Sequence, residues 1–120
     1  MLKTEIKETL KDYAKGNDIR AEVAREALER WDDYDGDIEG WFNDLLSHGC
    51  SSGMVGSMIY YCDTHNFYDK YYDEIEDLRY EYEESFGCPL QPEGDLKNWF
   101  AWFAFEETAR RLADELELNI

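Results

Sequence analysis

This chain has little proline, no long apolar run and no apolar segment at its start. Its two prolines, Pro89 and Pro92, lie close together, so no proline interrupts the rest of the chain. No run of about 18 apolar residues occurs, and we therefore expect no transmembrane helix. The segment that follows Met1 lacks the apolar stretch of a signal peptide, and we expect no secretory leader.

Cysteine is also scarce. The three cysteines, Cys50, Cys62 and Cys88, are an odd number and show no spacing typical of a disulfide framework. This usage favours reduced thiols, because disulfides form mainly in oxidising compartments. We therefore expect a cytoplasmic protein.

Basic residues are outnumbered by acidic ones. The chain has 12 Lys and Arg against 29 Asp and Glu, a net charge of −17 over 120 residues. An acidic chain with few aromatic residues is typically disordered. Here 43% of the residues are hydrophobic and 16% are aromatic, which predicts one folded domain over residues 1–120. Phosphate backbones and anionic lipids repel such a protein, so we expect no direct binding of nucleic acid or membrane.

Helical periodicity extends over almost the whole chain. The predicted helices cover residues 2–14, 19–31, 38–49, 54–62, 63–86 and 96–118, although a short buried strand at 54–62 stays possible. Residues 99–105 are apolar on all sides of a helix, which is typical of a core centre or a homodimer interface. The predicted fold is all-α, a single-domain bundle of five or six helices around an aromatic-rich C-terminal helix.

Acidic and aromatic residues separate onto two sides of the predicted helix 63–86. Phe67, Tyr71 and Ile75 share one side, whereas acids occupy the other. At about 1.5 Å per residue this helix would be about 36 Å long, comparable with the ~34 Å of one turn of B-DNA. Its carboxylates would imitate a row of phosphates, and we expect an acidic turn to extend the face. The predicted partner-binding residues are Asp69, Asp73, Glu76, Asp77, Tyr80, Glu84, Asp33, Asp35 and Asp37.

An ordinary solvated helix face would show the same separation of acidic and aromatic residues. What such a face does not explain is the quantity of charge, because a net charge of about 2–8 is enough to keep a small domain soluble. The excess favours a basic partner, with imitation of nucleic acid as the leading interpretation.

Three further motifs suggest other chemistry. The acidic turn does not complete a calcium-binding EF-hand, because Trp31 and Phe42 fall where that loop needs acids, so a helix-capping turn is favoured. Zinc-type ligands occur as two pairs with no standard finger spacing. A glycine-rich segment over residues 49–56 lacks the lysine of a phosphate-binding loop. The zinc-type ligands are His48, Cys50, Cys62 and His65.

Two segments carry a family resemblance. Residues 49–64 include Gly-Cys-Ser-Ser-Gly-Met-Val and Ile-Tyr-Tyr-Cys-Asp-Thr, and residues 98–107 read Asn-Trp-Phe-Ala-Trp-Phe-Ala-Phe-Glu-Glu. Together they resemble an uncharacterised family of small proteins from phages, plasmids and other mobile elements, over about residues 38–118. The resemblance implies that the gene is carried by elements that also encode inhibitors of host restriction or CRISPR nucleases. No functional residue is carried over from it.

The leading functional hypothesis is therefore a non-enzymatic inhibitor that occupies a basic nucleic-acid-binding surface, such as that of a host defence nuclease. The first alternative is a protein-interaction module that docks through exposed aromatic side chains. The second is a small zinc-binding protein. Catalysis has the least support, because no general base, nucleophile and stabilising group can be placed together, even though Cys50 and His48 lie close in sequence.

Overall fold

The computed structural model describes residues 1–47 and 63–120, which are entirely helical apart from turns and loops. Neither range contains a strand, and the predicted all-α bundle is confirmed. The predicted helix over residues 54–62 lies outside the described residues. The helices are α1 (Lys3–Tyr13), α2 (Ile19–Glu29), α3 (Ile38–Leu46), α4 (Thr64–Lys70), α5 (Tyr72–Phe86) and α6 (Leu96–Glu115).

Aspartate side chains define the start of four helices. Asp18, Asp37, Asp63 and Asp95 are the N-caps of α2, α3, α4 and α6, and each accepts a hydrogen bond from the backbone N–H three residues later. Such a cap stabilises the helix, because it satisfies an amide that has no partner within the helix. Part of the acidic composition therefore has a local structural role.

The aromatic C-terminal helix lies at the centre of the bundle, as predicted. α6 packs against α2, α3, α4 and α5. Its core side includes Phe100 and Phe105, and alanines at positions 101, 104 and 109 let the neighbouring helices approach. In the two described ranges, no helix has the length and apolarity needed to cross a membrane.

The predicted continuous helix over residues 63–86 is wrong, because the chain leaves helical geometry at Tyr71 (φ −108°, ψ 24°). The Tyr71 side chain is buried, and its hydroxyl donates a hydrogen bond to Glu22 Oε1 of α2 at 2.7 Å. This contact holds the residue at the junction of α4 and α5. α5 has 15 residues. At about 1.5 Å per residue it is roughly 22 Å long, well short of one turn of DNA.

Candidate partner interface

An acidic stripe runs along α5 on the side away from the core. Asp73, Asp77, Tyr80 and Glu84 follow one another at spacings of three or four residues, which places them on one helix face. Buried Ile75 lies on the opposite face, whereas Tyr80 is 68% exposed. The stripe spans about 16 Å along the helix axis.

The three carboxylates of the acidic stripe are exposed and have no salt-bridge partner within residues 1–47 and 63–120. Other acids of the predicted face are paired within the chain. Asp69 lies on α4 and contacts Lys97 Nζ at 2.9 Å, and Glu76 contacts Arg79 at 3.6 Å. Along α4 and α5, the predicted acids that have no ion-pair partner in the described ranges are therefore Asp73, Asp77 and Glu84.

The acidic turn with Asp33, Asp35 and Asp37 lies between α2 and α3. Asp33 contacts Arg30 at 3.8 Å, and Asp37 caps α3. Asp35 has a φ of 51° and precedes Gly36, whose φ of 77° glycine adopts without strain. These backbone conformations make the segment a tight helix-capping turn.

The acidic turn and the first helical turn of α5 lie at opposite ends of α2. Glu74 in α5 accepts the backbone N–H of Ile19, at the start of α2, at 3.1 and 3.3 Å. The acidic turn follows the other end of α2, beyond Glu29, and an 11-residue helix lies between them. The structure therefore unites the four residues of the acidic stripe and places the acidic turn apart from the start of α5.

Most of the predicted zinc ligands, His48, Cys50 and Cys62, lie outside the described residues, as does the glycine-rich segment. The remaining ligand, His65, has its Nε2 at 2.9 Å from Asp95 Oδ2. The backbone N–H of Asn98 and the contact with His65 lower the pKa of Asp95. In the described part of the chain, His65 thus joins α4 to the N-cap of α6.

An aromatic groove beside the stripe was not predicted. It lies between α5 and α6, has a volume of about 680 Å³, and is lined by Tyr82, Phe86, Trp99 and Phe103. The Tyr82 ring stacks on Phe86 at 4.5 Å and meets Phe103 edge-on at 5.3 Å. Phe86 is 66% exposed, so one wall of the groove is open to solvent. Tyr82 and Phe86 fall on the aromatic side of the predicted helix 63–86, and Trp99 and Phe103 belong to the run that is apolar on all sides, so their spacing does not show that a groove stays open.

Glu106 lies in the aromatic groove and is only 8% exposed. Its Oε1 accepts a hydrogen bond from Arg110 at 3.2 Å, whereas its Oε2 is buried and has no hydrogen-bond partner in the described structure. Burial raises the pKa of Glu106, and Arg110 opposes that shift. The sequence signal for this residue is an acid three positions after Phe103, directly after the apolar run over residues 99–105.

The family of the chain is shown by a match over nearly its whole length. The family model described as "Domain of unknown function (DUF7222)" matches residues 3–118. The chain belongs to the DUF7222 family. Comparisons with curated proteins and with solved structures found no match. This membership confirms the prediction of an uncharacterised family. The match also covers more of the chain than the predicted resemblance over residues 38–118. The function of this DUF7222 chain is therefore inferred from its surfaces.

Three partly buried carboxyl groups should make the stability of the DUF7222 chain depend on pH. Burial is the main cause that raises the pKa of Glu26, Glu74 and Glu106. Since the folded-state pKa lies above the unfolded one, protonation stabilises the fold, and this stabilisation is lost as pH rises through the folded-state pKa. We expect the melting temperature to rise when the pH is lowered from neutral towards about 5.

The exposed acids repel one another and act in the same direction, so the melting curves are recorded at low and high salt. A variant with Glu26→Gln, Glu74→Gln and Glu106→Gln removes the three groups. At high salt its melting temperature should change less with pH than that of the natural sequence. Equal pH dependence in the two proteins would show that the buried carboxyls are not responsible.

Proposed function

We propose that this DUF7222 protein is a non-enzymatic inhibitor that occupies the basic nucleic-acid-binding surface of another protein. The observation that carries the proposal is the acidic stripe, whose three carboxylates are exposed and unpaired within the described residues. A surface that binds phosphates through Lys and Arg would find the same charge on this face. The mechanism is competition, in which carboxylates replace phosphates without any bond being made or broken.

The dimensions of the stripe limit how much nucleic acid it imitates. One strand of DNA presents a phosphate about every 3.4 Å along the helix axis. The stripe, at about 16 Å, therefore covers the length of about five phosphates, or half a turn. Tyr80 lies among the carboxylates and offers an exposed aromatic face of the kind on which bases and guanidinium groups stack. The proposed target site is correspondingly a short basic channel.

We further propose that the protein is encoded by a phage, plasmid or other mobile element and acts in the cytoplasm against a host defence nuclease. The net charge of −17 supports this context, because it exceeds what solubility requires and favours a strongly basic partner. Affinity of this kind depends on charge complementarity and decreases as salt screens the charges.

The test is capture of partners from host lysate, followed by competition with DNA. We expect the immobilised protein to retain nucleic-acid-binding proteins at about 50 mM salt and to release them at about 500 mM, where the Debye length is under half as long. Duplex DNA should displace the purified partner from the inhibitor in a concentration-dependent manner. Partners that resist both salt and DNA would contradict the proposal and favour docking through apolar surface.

A further inference from the structure

Glu106 lines the aromatic groove and has a buried carboxylate oxygen that lacks a hydrogen-bond donor in the described structure. Glu106 Oε1 is satisfied by Arg110, but Oε2 has no partner in the described structure. A buried acceptor without a donor has lost its hydrogen bonds to water without replacement, and the penalty is larger when the group is charged. If the carboxylate turns this oxygen towards the groove, a ligand that brings an N–H group into the groove supplies the missing donor.

The aromatic walls favour a flat cation. Tyr82 and Phe86 form a stacked pair, and Trp99 lies 5.8 Å from Phe103 between ring centroids. Aromatic faces attract cations held within about 6 Å of the ring centroid. A guanidinium group is planar and weakly hydrated, so it stacks on a ring and donates hydrogen bonds at the same time.

The charges around the groove leave one carboxylate in excess. Arg111 contacts Glu81 at 2.9 Å and Glu107 at 3.4 Å, and Arg110 contacts Glu106. The groove is therefore lined by three carboxylates and two guanidinium groups. One further positive charge completes the pairing. A second copy of the chain, with a net charge of −17, is a poor occupant.

The groove is also continuous with the acidic stripe. Glu81 lines the aromatic groove, and it shares an adjoining depression with Asp77 of the stripe. One partner surface can thus contact both features. A partner that binds phosphates is rich in arginine, and one such side chain placed beside its channel would reach the groove.

We propose that the aromatic groove binds an arginine side chain of the basic partner, with the guanidinium between the aromatic rings and Glu106. The inference rests on the proposed function only for the identity of that partner. The affinity of the groove for a guanidinium group is a property of this chain alone and is measured separately.

The test is an NMR titration of the full chain with N-acetyl-arginine methylamide. We expect shifts of the Trp99 indole signal and of the Phe103 and Glu106 amide signals, with a dissociation constant in the millimolar range. The citrulline compound has nearly the same shape without the charge, and it should bind at least about tenfold more weakly. Glu106→Gln should weaken binding of the arginine compound by about tenfold.

Two further variants make the outcome decisive. Phe86→Ala removes an exposed ring, should retain the fold because little of that ring is buried, and should reduce arginine binding severalfold. Neutralising the acidic stripe should leave arginine binding unchanged, so failure of the proposed function and failure of this inference are distinguishable. Equal binding of the arginine and citrulline compounds, tighter binding of a lysine compound, or no shift at the groove signals would overturn the inference.

Discussion

Replacing Asp73 and Asp77 by asparagine and Glu84 by glutamine will weaken binding of the basic partner by about a hundredfold. Each of these exposed carboxylates, when paired across an interface, contributes roughly 1 kcal/mol, and three together correspond to about two powers of ten in the dissociation constant. The amides keep the shape of the side chains and remove only their charge. The dissociation constant of the captured partner, measured at low salt by calorimetry, checks this prediction.

The matched control removes the same charge elsewhere. Glu5, Glu29 and Asp114 are exposed, lie outside α5 and have no salt bridge in the described ranges, so their conversion to amides also changes the net charge from −17 to −14. We expect this control to lose less than about threefold in affinity, because its residues lie outside the acidic stripe and form no direct ion pair with the partner. Equal losses in the two triple variants would mean that total charge, not the acidic stripe, determines binding.

Phe105→Ala will produce the largest loss of stability among single substitutions considered for this chain. Phe105 is 2% exposed and lies in α6, the helix that packs against four others. Removing a buried phenylalanine side chain typically costs about 3–5 kcal/mol, through lost burial and the cavity left behind. A domain of this size is stable by only about 5–15 kcal/mol, so the melting temperature should fall by more than about 10 °C.

Tyr80→Ala is the appropriate comparison, since it also removes an aromatic ring from the interior of a helix. Its side chain is 68% exposed, and we expect the free energy of unfolding to change by no more than about 0.5 kcal/mol. Urea unfolding of the two variants provides the measurement. Similar losses in both would contradict the central position of α6.

Local signals account for the parts of the fold that could be predicted. Asp18 and Asp95 precede apolar helical periods, and a capping side chain acts only on amides two or three residues away. For the same reason Gly87, with a φ of 71°, ends α5 where the sequence indicates. Such effects depend on neighbours along the chain, which the sequence shows directly.

The break at Tyr71 could not be predicted from the sequence, because the contact that holds Tyr71 at the junction comes from another helix. The aromatic spacing continues through the junction, and the contact with Glu22 joins residues that are 49 positions apart. The aromatic groove was missed for a similar reason. Apolar spacing predicts which side of α5 and α6 faces inward, but whether Phe86 and Trp99 are fully covered depends on how the two helices cross.

The junction at Tyr71 also bears on the entropy of binding. Tyr71 and Glu74 attach the beginning of α5 to α2, and Tyr82 packs the later part of α5 on Phe103 of α6. A helix anchored at both ends presents its carboxylates in one fixed row before any partner arrives. Since ordering a flexible segment reduces affinity, a row that is already ordered retains more of its electrostatic attraction as binding free energy.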